Sequence, residues 1–429
     1  MSGDRDLTDL FVEEARAVTV GEAVERLGVA GLRPAGIGES VGPCPVAGGR
    51  DGFSVNTVKN AWNCRRCGDG GHDGIGLAAH NLGLDVKRRE AFLAACAAVL
   101  GRPVPEGGAE SDEARAEREA ALAARREAAA TRAARETRTQ ADFRERERRK
   151  AAGKWLQADG KELLAYGYLE ARLGLGRRVL PVLPALRVIA AEPYWHGTGE
   201  DGRAVAIHEG AAMVLPFVDS GGTVIGCHLT WLDPSGPKGR PTLCDPATGE
   251  RLPTKKMRGS KKGGLLPLVG FGLHADGRIL PDPARTRLVL GEGIENVLAI
   301  GVAEGFRADT LYAAAGDLGN LAGPADGRSA FSHPELTKVG KDGKARPLRV
   351  AGPVPKPDQD AGDAVQAPAG LTEILLVADG DSERYATAAA MLRAEARLSA
   401  GGRAVTIAWP PKGMDFAELL SGAGERRAA

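Results

Sequence analysis

The stretch LVLGEGIE at residues 288–295 is an apolar run that ends at Glu292, a glutamate flanked by two glycines. A second stretch, ILLVADGD at residues 374–381, is an apolar run that ends at Asp379 and Asp381. A strand that is covered on both faces is apolar without alternation, so both runs are predicted to be buried parallel strands. A helix-forming segment follows each run, and this order of strand and helix predicts an α/β sheet.

Three carboxylates are expected at one edge of that sheet. In open α/β sheets the functional groups lie just beyond the carboxyl ends of the strands, where Glu292, Asp379 and Asp381 stand. Three close carboxylates repel one another unless a cation neutralises them. A hard cation such as Mg²⁺ (or Mn²⁺), which binds a few carboxylates together with water and substrate phosphates, is the predicted ligand.

These stretches resemble the Toprim domain of bacterial-type primases, topoisomerases, some nucleases and recombination factors. Its signature is a glutamate after the first strand and Asp-x-Asp after a later one. The segment KGMDFAELL at 412–420 resembles the Gly-x-Asp element that closes primase-type Toprim domains. The resemblance implies that Glu292, Asp379 and Asp381 are catalytic metal ligands, with Asp415 as a fourth candidate. Glu295 departs from the pattern, since many relatives carry Asp there.

Length and composition set outer bounds on the architecture and on possible partners. At 429 residues the chain is expected to hold two or three domains. Its 57 basic and 56 acidic residues nearly cancel, so any surface for nucleic acid must be local. Aromatic residues make up 4%, which argues against base recognition that rests mainly on stacking. No apolar run is long enough for a membrane span and no signal peptide is recognisable, which predicts a soluble, cytoplasmic protein.

Three of the six cysteines have the spacing of metal ligands. Cys44 stands in GPCPVAGG at 42–49, and Cys64 and Cys67 stand in NCRRCG at 63–68. Two ligand pairs on tight turns of a β-ribbon suit a tetrahedral Zn²⁺ ion. The segment is similar to the N-terminal zinc ribbon of bacterial, phage and plasmid primases, whose first pair is Cys-Pro-x-Cys or Cys-Pro-x-His.

Alanine 47 occupies the second ligand position of this ribbon and cannot bind metal through its side chain. His72 is therefore the preferred fourth ligand; His80, or a weakly bound or lost zinc ion, are the alternatives. Redox chemistry at Cys-x-x-Cys ranks lower, because no thioredoxin-like βαβ pattern surrounds it. Arg65 and Arg66, between the two cysteines, are predicted to contact the template.

The stretch from about 110 to 154 is almost entirely Ala, Arg and Glu. Its helix propensity is high, and Glu and Arg alternate along its length. We interpret it as a solvated helical spacer. A nucleic-acid-binding arm is the less favoured alternative, since acidic and basic residues are interleaved throughout.

A β-hairpin is predicted at 212–232, and a basic, glycine-rich loop at 255–264 follows it. Phosphate binding is predicted for the basic residues of this loop, with triphosphate or template as the ligand. These residues are Lys255, Lys256, Arg258, Lys261 and Lys262. The order of hairpin, Lys-x-x-Gly loop and Toprim resembles the N-terminal lobe of the primase catalytic core.

Residues 333–371 interrupt the Toprim pattern and are interpreted as an inserted, partly flexible loop that could bind nucleic acid. The basic residues of this insertion are Lys338, Lys341, Lys344, Arg346 and Arg349. No Gly-x-x-x-x-Gly-Lys-Ser/Thr motif occurs, so a fused helicase motor is not expected.

The sequence thus predicts an α/β multidomain protein with an N-terminal zinc ribbon, a long helical spacer, a mixed α/β lobe and a Rossmann-like Toprim sheet. The corresponding domains are 1–104, 105–154, 155–283 and 284–425. The resemblance implies a DNA primase, a nucleotidyltransferase that synthesises short RNA primers on single-stranded DNA from ribonucleoside triphosphates. It also implies a separate replicative helicase as partner. The resemblance includes primases of chromosomes and of mobile elements alike. The alternatives are a Toprim nuclease and a degenerate single-stranded-DNA-binding accessory protein.

Overall fold

The computed structural model describes residues 7–36, 38–105, 112–176, 180–199, 202–339 and 345–422. The chain divides into two compact units, Met1–Ala141 and Asp142–Ala429, of mixed α/β structure. Within the described ranges, no helix combines the length and the apolar character needed to cross a membrane. The start of the predicted spacer at 106–111, the insertion residues Lys341 and Lys344, and the predicted domain end after residue 422 lie outside the described residues.

The first unit holds an antiparallel five-stranded sheet among short helices, with the strands hydrogen-bonded in chain order. Its helices are α1 (Leu7–Arg16), α2 (Val20–Arg26), α3 (Gly74–Leu82) and α4 (Arg89–Leu100). Its strands are β1 (Arg33–Gly36), β2 (Glu39–Cys44), β3 (Gly48–Asn56), β4 (Ala61–Cys64) and β5 (Asp69–Gly71).

Local sequence explains how this unit forms its elements. Thr19 caps α2, and Glu22 completes a capping box by accepting hydrogen bonds from the Thr19 backbone and hydroxyl at 2.8 Å. On β3, Phe53 and Val55 are buried while the residues between and beside them are less so, as the two-residue period of a strand requires. With Trp62 they form the centre of the small core.

Helix α5 (Asp112–Leu156) contains 45 residues, and the division between the two units falls within it. Alanine, arginine and glutamate have high helix propensity, which explains the uninterrupted helix. Pairs such as Arg149 and Glu145, 3.0 Å apart one turn away, add local support. A helix was predicted here, and its role as a spacer stays a prediction.

The second unit contains two main sheets. The first is antiparallel, in the order β11-β8-β7-β6, and the predicted hairpin is its β7–β8 pair. The elements of this part are α6 (Glu162–Arg172), β6 (Arg187–Thr198), β7 (Ala204–Val218), β8 (Val224–Trp231), a 3-10 turn (Pro237–Gly239), β9 (Leu243–Cys244), β10 (Arg251–Leu252) and β11 (Lys255–Gly259).

The second sheet has the order β12-β16-β15-β19-β20, in which β12 is antiparallel to β16 and the other four strands are parallel. Its strands are β12 (Leu266–Val269), β15 (Arg287–Gly291), β16 (Thr310–Ala314), β19 (Glu373–Val377) and β20 (Ala404–Ala408). The helices after the four parallel strands are α7 (Ile294–Glu304), α8 (Leu318–Ala322), α9 (Arg384–Ser399) and α10 (Phe416–Leu420). Two small antiparallel pairs complete the unit: β13 (Phe271–Leu273) with β14 (Ile279–Pro281), and β17 (Phe331–Val339) with β18 (Ala345–Val350). A second 3-10 turn spans Gly327–Ser329.

The prediction of two buried parallel strands is confirmed. Strands β15 and β19 are direct parallel neighbours, with Leu290 opposite Leu376, and every residue of β15 is buried. Strand β12 precedes the boundary predicted at residue 283 and pairs with β16 beyond it. The mixed α/β lobe and the parallel sheet therefore share one hydrophobic core.

Two segments that were expected to be loops are strands. Residues 255–259 form β11, because the buried strand β8 has backbone groups on that side that need a partner, and Lys256 pairs there with Leu229. The insertion predicted to be a partly flexible loop at 333–371 contains all but the first two residues of the strands of the β17–β18 hairpin. Its glycines and prolines were read as loop signals, although residues at both ends of this hairpin belong to an ordered ladder.

Candidate functional site

The carboxyl edge of the parallel sheet brings the predicted acidic residues together. Gly291, the last residue of β15, pairs with Val377, the last residue of β19, so Glu292 and Asp379 follow at nearly the same level. The strand order places β16 on one side of β15 and β19 on the other, which makes the β15–β19 gap a topological switch point. Ligands of open α/β sheets bind at such points.

Burial and mutual repulsion raise the pKa values of two of these carboxyls. The pKa of Glu292 is raised to about 7, first by burial and then by the charges of Asp379 and Asp317. The pKa of Asp379 is raised to about 6, first by burial and then by Asp381 and Asp415. Carboxyls that raise each other's pKa in this way form a site of high negative potential, which favours a bound cation.

Asp415 reaches this group because the turn that carries it lies against Gly380. The Gly413 N–H donates to the Gly380 carbonyl oxygen at 2.8 Å, and a Cβ at position 380 would collide with the Pro411 and Met414 carbonyl oxygens. Asp415 also caps α10 by accepting from the Glu418 N–H at 2.6 Å. The central glycine of the Asp-Gly-Asp motif is therefore required by this close approach.

Asn296 and Asp317 are site residues that the sequence interpretation did not include. The Asn296 side-chain amide donates to Asp379 Oδ1 at 2.5 Å, and its oxygen accepts from the Ala417 N–H at 3.2 Å. Asp317 follows β16 and caps α8. The rule that places functional groups after strand ends applies equally to Asp317, because β16 is a continuously buried strand like β15.

Lys255 lies beside the acidic group but is engaged with Glu295. Its Nζ is 2.7 and 3.0 Å from the two Glu295 oxygens, and the Tyr168 hydroxyl donates to Glu295 at 2.7 Å. Burial alone would raise the pKa of Glu295; the charge and hydrogen bonds of Lys255 nevertheless hold it well below its usual range. The charge of Lys255 also lowers the pKa of Asp379, against the larger effects of burial and neighbouring carboxylates that raise it.

The remaining predicted phosphate ligands have different surroundings. Lys256 lies 3.5 Å from the centre of the Tyr194 ring and donates to the Trp195 carbonyl oxygen at 2.5 Å, which gives it a packing role. Lys261 forms an ion pair with Asp317, and Lys262 is exposed. Arg258 is partly exposed on β11. Of the five predicted phosphate ligands, Lys261 and Lys262 therefore lie in the loop after β11, and the other three lie on β11 itself. Lys261 is at the acidic edge.

A compact cysteine–histidine group lies in the first unit. The ligand atoms of Cys44, Cys64, Cys67 and His80 all lie within 4.8 Å of one another, which suits one tetrahedral metal ion. Among the described residues this is the one group of three or more His, Cys, Asp or Glu side chains with such spacing. The acidic group of the second unit is looser, as expected for Mg²⁺, which keeps several waters and binds few carboxylates directly.

The choice of His72 as the fourth ligand is corrected to His80. His72 is exposed on the turn before α3, and its carbonyl oxygen accepts from Asn60 at 2.9 Å. His80 lies in the last turn of α3 with its side chain 5% exposed, and its Nε2 is 3.7 Å from Cys44 Sγ. Asp73 caps α3 and fixes the start of that helix, which carries the imidazole back over the ribbon.

Packing and a carboxylate orient the His80 ring. It stacks on Phe53 at 6.2 Å between centroids and lies 5.0 Å from Trp62. Its other nitrogen, Nδ1, lies 3.4 Å from Asp69 Oδ2. Histidines that bind metal usually donate their second N–H to a carboxylate in this way.

The pKa values of two thiols in this group, Cys44 and Cys67, are shifted in opposite directions. Burial raises the pKa of Cys44, but hydrogen bonds from the N–H groups of Ala47 and Val46 and from His80 and Cys64 together outweigh it and lower the pKa to about 6. Ala47 thus stabilises the sulfur through its backbone, 3.2 Å from Cys44 Sγ. The pKa of Cys67 is raised to about 12 by its contacts with Cys64 and Cys44. A divalent cation would relieve this competition, so the donor set fits zinc.

Arg65 and Arg66 are both exposed on the turn between Cys64 and Cys67. Their contact with the template stays a prediction.

The chain matches one family model over part of its length and two solved structures at low identity. Residues 145–268 match the model of a domain of unknown function, DUF7146, which covers less than half of the chain. No curated protein matches. A crystal structure of the zinc-binding and RNA polymerase domains of the Aquifex aeolicus primase aligns at 16% identity and a TM-score of 0.32, covering 97% of this chain and 83% of that chain. A primase domain from Pseudomonas aeruginosa aligns at 14% identity and a TM-score of 0.26, covering 64% and 60%. TM-scores this low do not establish a shared fold.

Proposed function

We propose that this chain is a DNA primase-like nucleotidyltransferase that synthesises short RNA primers on single-stranded DNA. The observation that carries the proposal is the group of carboxylates at the β15–β19 switch point, where Glu292 and Asp379 have raised pKa values. The motifs that resemble Toprim are the ones that meet at this edge. The order of the parallel strands agrees with a Toprim-type sheet. The assignment of this sheet to the Toprim type is part of the proposal.

Glu292, Asp379 and Asp381 would hold Mg²⁺ or Mn²⁺, with Asp415 as a fourth ligand. When bound, such ions offset the charge of the attacking and leaving oxygens in nucleotidyl transfer. Asn296 orients Asp379 through its amide, and Lys255 fixes the buried Glu295 behind the acidic group. For Lys255 and Lys256 we propose positioning and packing roles in place of the predicted phosphate binding.

Triphosphate and template contacts fall to the basic residues that remain available. Lys262 is exposed, and Lys261 lies beside Asp317 at the acidic edge, where an incoming phosphate could compete for it. Arg258 is the third candidate, and Arg65 and Arg66 would contact template through the ribbon. The Cys44, Cys64, Cys67 and His80 group would hold Zn²⁺ as a structural ion. A separate replicative helicase would deliver the single strand.

Two alternatives use the same residues. A Toprim nuclease would direct the carboxylates at a water molecule. A degenerate DNA-binding protein would be favoured if Ala47 left the ribbon one ligand short. The position of His80 removes that reason, because a complete set of four ligand residues is present without a side chain at position 47.

Incorporation of labelled ribonucleotides on a single-stranded DNA template separates the three functions. The proposal expects RNA chains that depend on template and Mg²⁺, with the template left intact. Shortened template without RNA product would indicate the nuclease, and DNA binding without either reaction would indicate the accessory protein.

A further inference from the structure

The β17–β18 hairpin is a feature of the second unit that the proposed reaction does not use. It lies in the long connection between α8 and β19. Phe331 pairs with Val350 near the body of the unit, and Lys338 pairs with Arg346 further out. The hairpin is mostly exposed beyond its base.

His333 ties the base of this hairpin to the edge that carries the acidic group. The histidine is 4% exposed, and its Nδ1 accepts from the N–H groups of Glu335 and Leu336 at 3.0 and 2.8 Å. Its Nε2 must therefore carry the proton in the neutral ring, and it donates to Glu383 at 2.9 Å. Glu383 caps α9 and stands two residues beyond Asp381. The hairpin thus begins at the carboxyl edge of the parallel sheet.

Arg393 provides a second attachment at the base of the hairpin. Its buried guanidinium donates to the carbonyl oxygens of Gly323 and Gly352, which stand before β17 and after β18. An isolated bridge between Ala325 and Pro355 closes the same neck. A hairpin that is fixed at both strands projects in a defined direction.

The surface of the hairpin is basic in a chain that is almost neutral. Within its two strands, Lys338, Arg346 and Arg349 stand against one acidic residue, Glu335. Lys338 and Arg346 are directly opposite, so their two positive charges lie on one face of the hairpin. Leu336, which is 46% exposed, lies two residues from Lys338 and therefore on the same face.

A polyanion fits this surface better than other partners do. The acidic edge repels nucleic acid, and the nearly neutral chain as a whole does not attract it. A nucleic-acid strand can therefore be held near Asp379 only by cations close to that edge. The phosphates of a single-stranded nucleic acid match the adjacent cations Lys338 and Arg346, with Arg349 as a further cation nearer the base, and exposed leucine matches the apolar sugars and bases.

We infer that the β17–β18 hairpin is an arm that binds the phosphodiester backbone of single-stranded DNA and holds it beside Asp379 and Asp381. The inference rests on the proposed function only where it takes the bound DNA to be the template. The binding itself is separable, because it needs neither nucleotides nor Mg²⁺.

The test compares two full-length triple variants in their affinity for a fluorescent single-stranded oligonucleotide over a range of NaCl concentrations. The arm variant carries Lys338→Gln, Arg346→Gln and Arg349→Gln. The control removes the same charge from exposed positions elsewhere in the unit, with Arg251→Gln, Arg278→Gln and Arg307→Gln. Each lost phosphate contact reduces the slope of log affinity against log salt by about 0.7 for a single strand. We expect the arm variant to lose about 2 in slope and at least about tenfold in affinity near 0.1 M salt, and the control to match the parent.

A second measurement leaves the charges in place. A photoreactive benzophenone amino acid replaces Leu336 in one protein and Leu273, 43% exposed on β13, in the other. Cross-linking of the strand at position 336 and not at 273 supports the arm. Equal slopes in the two triple variants, or cross-linking no stronger at 336 than at 273, would overturn the inference even if the chain makes RNA. The parent could incorporate no ribonucleotide while the arm variant still binds DNA more weakly than the parent does. That result would support DNA binding by the arm and contradict the proposed function.

Discussion

Replacing Glu292 by glutamine should stabilise the fold while it removes activity. The pKa of Glu292 rises from its ordinary 4.5 to about 7 in the folded chain because of burial and the neighbouring aspartates. A carboxyl of this kind favours the folded state only at low pH, and that contribution is lost as the pH rises from about 4.5 to about 7. Above that window the folded state carries a buried charge among like charges, and glutamine, which is nearly isosteric, avoids this cost.

The magnitude follows from the two pKa values. The interval between 4.5 and about 7 corresponds to about 3 kcal/mol at 1.36 kcal/mol for each pKa unit. The Glu292→Gln variant should therefore be more stable than the parent by up to about 3 kcal/mol at pH 8, and equal to it near pH 4. Mg²⁺ should narrow the gap at pH 8, because a cation that binds the parent's folded state stabilises it.

Urea unfolding monitored by tryptophan fluorescence measures this directly, since four of the five tryptophans, at 155, 195, 231 and 409, lie in the second unit. The control is Glu250→Gln at an exposed position, which should change stability little at any pH. A Glu292→Gln protein that is less stable than the parent at pH 8 would refute the reasoning, because it would make Glu292 a structural residue and not a strained ligand.

Three further outcomes are expected. Lys255→Met should lower stability by about 3–5 kcal/mol, because it leaves Glu295 charged and buried with Tyr168 as a partner; equal melting temperatures for Lys255→Met and the exposed control Lys262→Met would contradict the buried pair. Metal analysis of the purified chain should find about one zinc ion in the parent and in His72→Ala, and much less in His80→Ala; the reverse order would restore His72 as the ligand. Gly380→Ala should reduce activity strongly without loss of fold, since a methyl group displaces the 411–414 turn and Asp415 with it; full activity would show that Asp415 is not needed.

The parts of the fold that were predicted are those that short-range patterns specify. A continuous apolar run followed by an acidic residue is visible in the sequence, and β15 and β19 appear where those runs lie. The order of strands in the sheet depends on long-range packing. No sequence pattern predicted that β12, which precedes the expected domain boundary, pairs with β16 in the parallel sheet.

The errors have a common physical source, which is that partners distant in the sequence decide a residue's role. Lys255 was counted with a basic loop, but the buried Glu295 forty residues later holds its ammonium group. His72 was preferred for its nearness to Cys67, whereas the length of α3 brings His80 to the sulfur atoms. The insertion was taken for a loop because the residues that hold it, Glu383 and Arg393, lie outside it in the sequence.

The central claim is that the carboxylates at the β15–β19 edge carry out nucleotidyl transfer with a divalent cation. The most direct test is ribonucleotide incorporation on single-stranded DNA over a Mg²⁺ titration, with the parent, Asp379→Asn, and Asp276→Asn at an exposed position as the matched control. The account predicts template-dependent RNA synthesis by the parent and by Asp276→Asn, and a loss of at least about a hundredfold in Asp379→Asn at every Mg²⁺ concentration. Undiminished Mg²⁺-dependent synthesis by Asp379→Asn would contradict it.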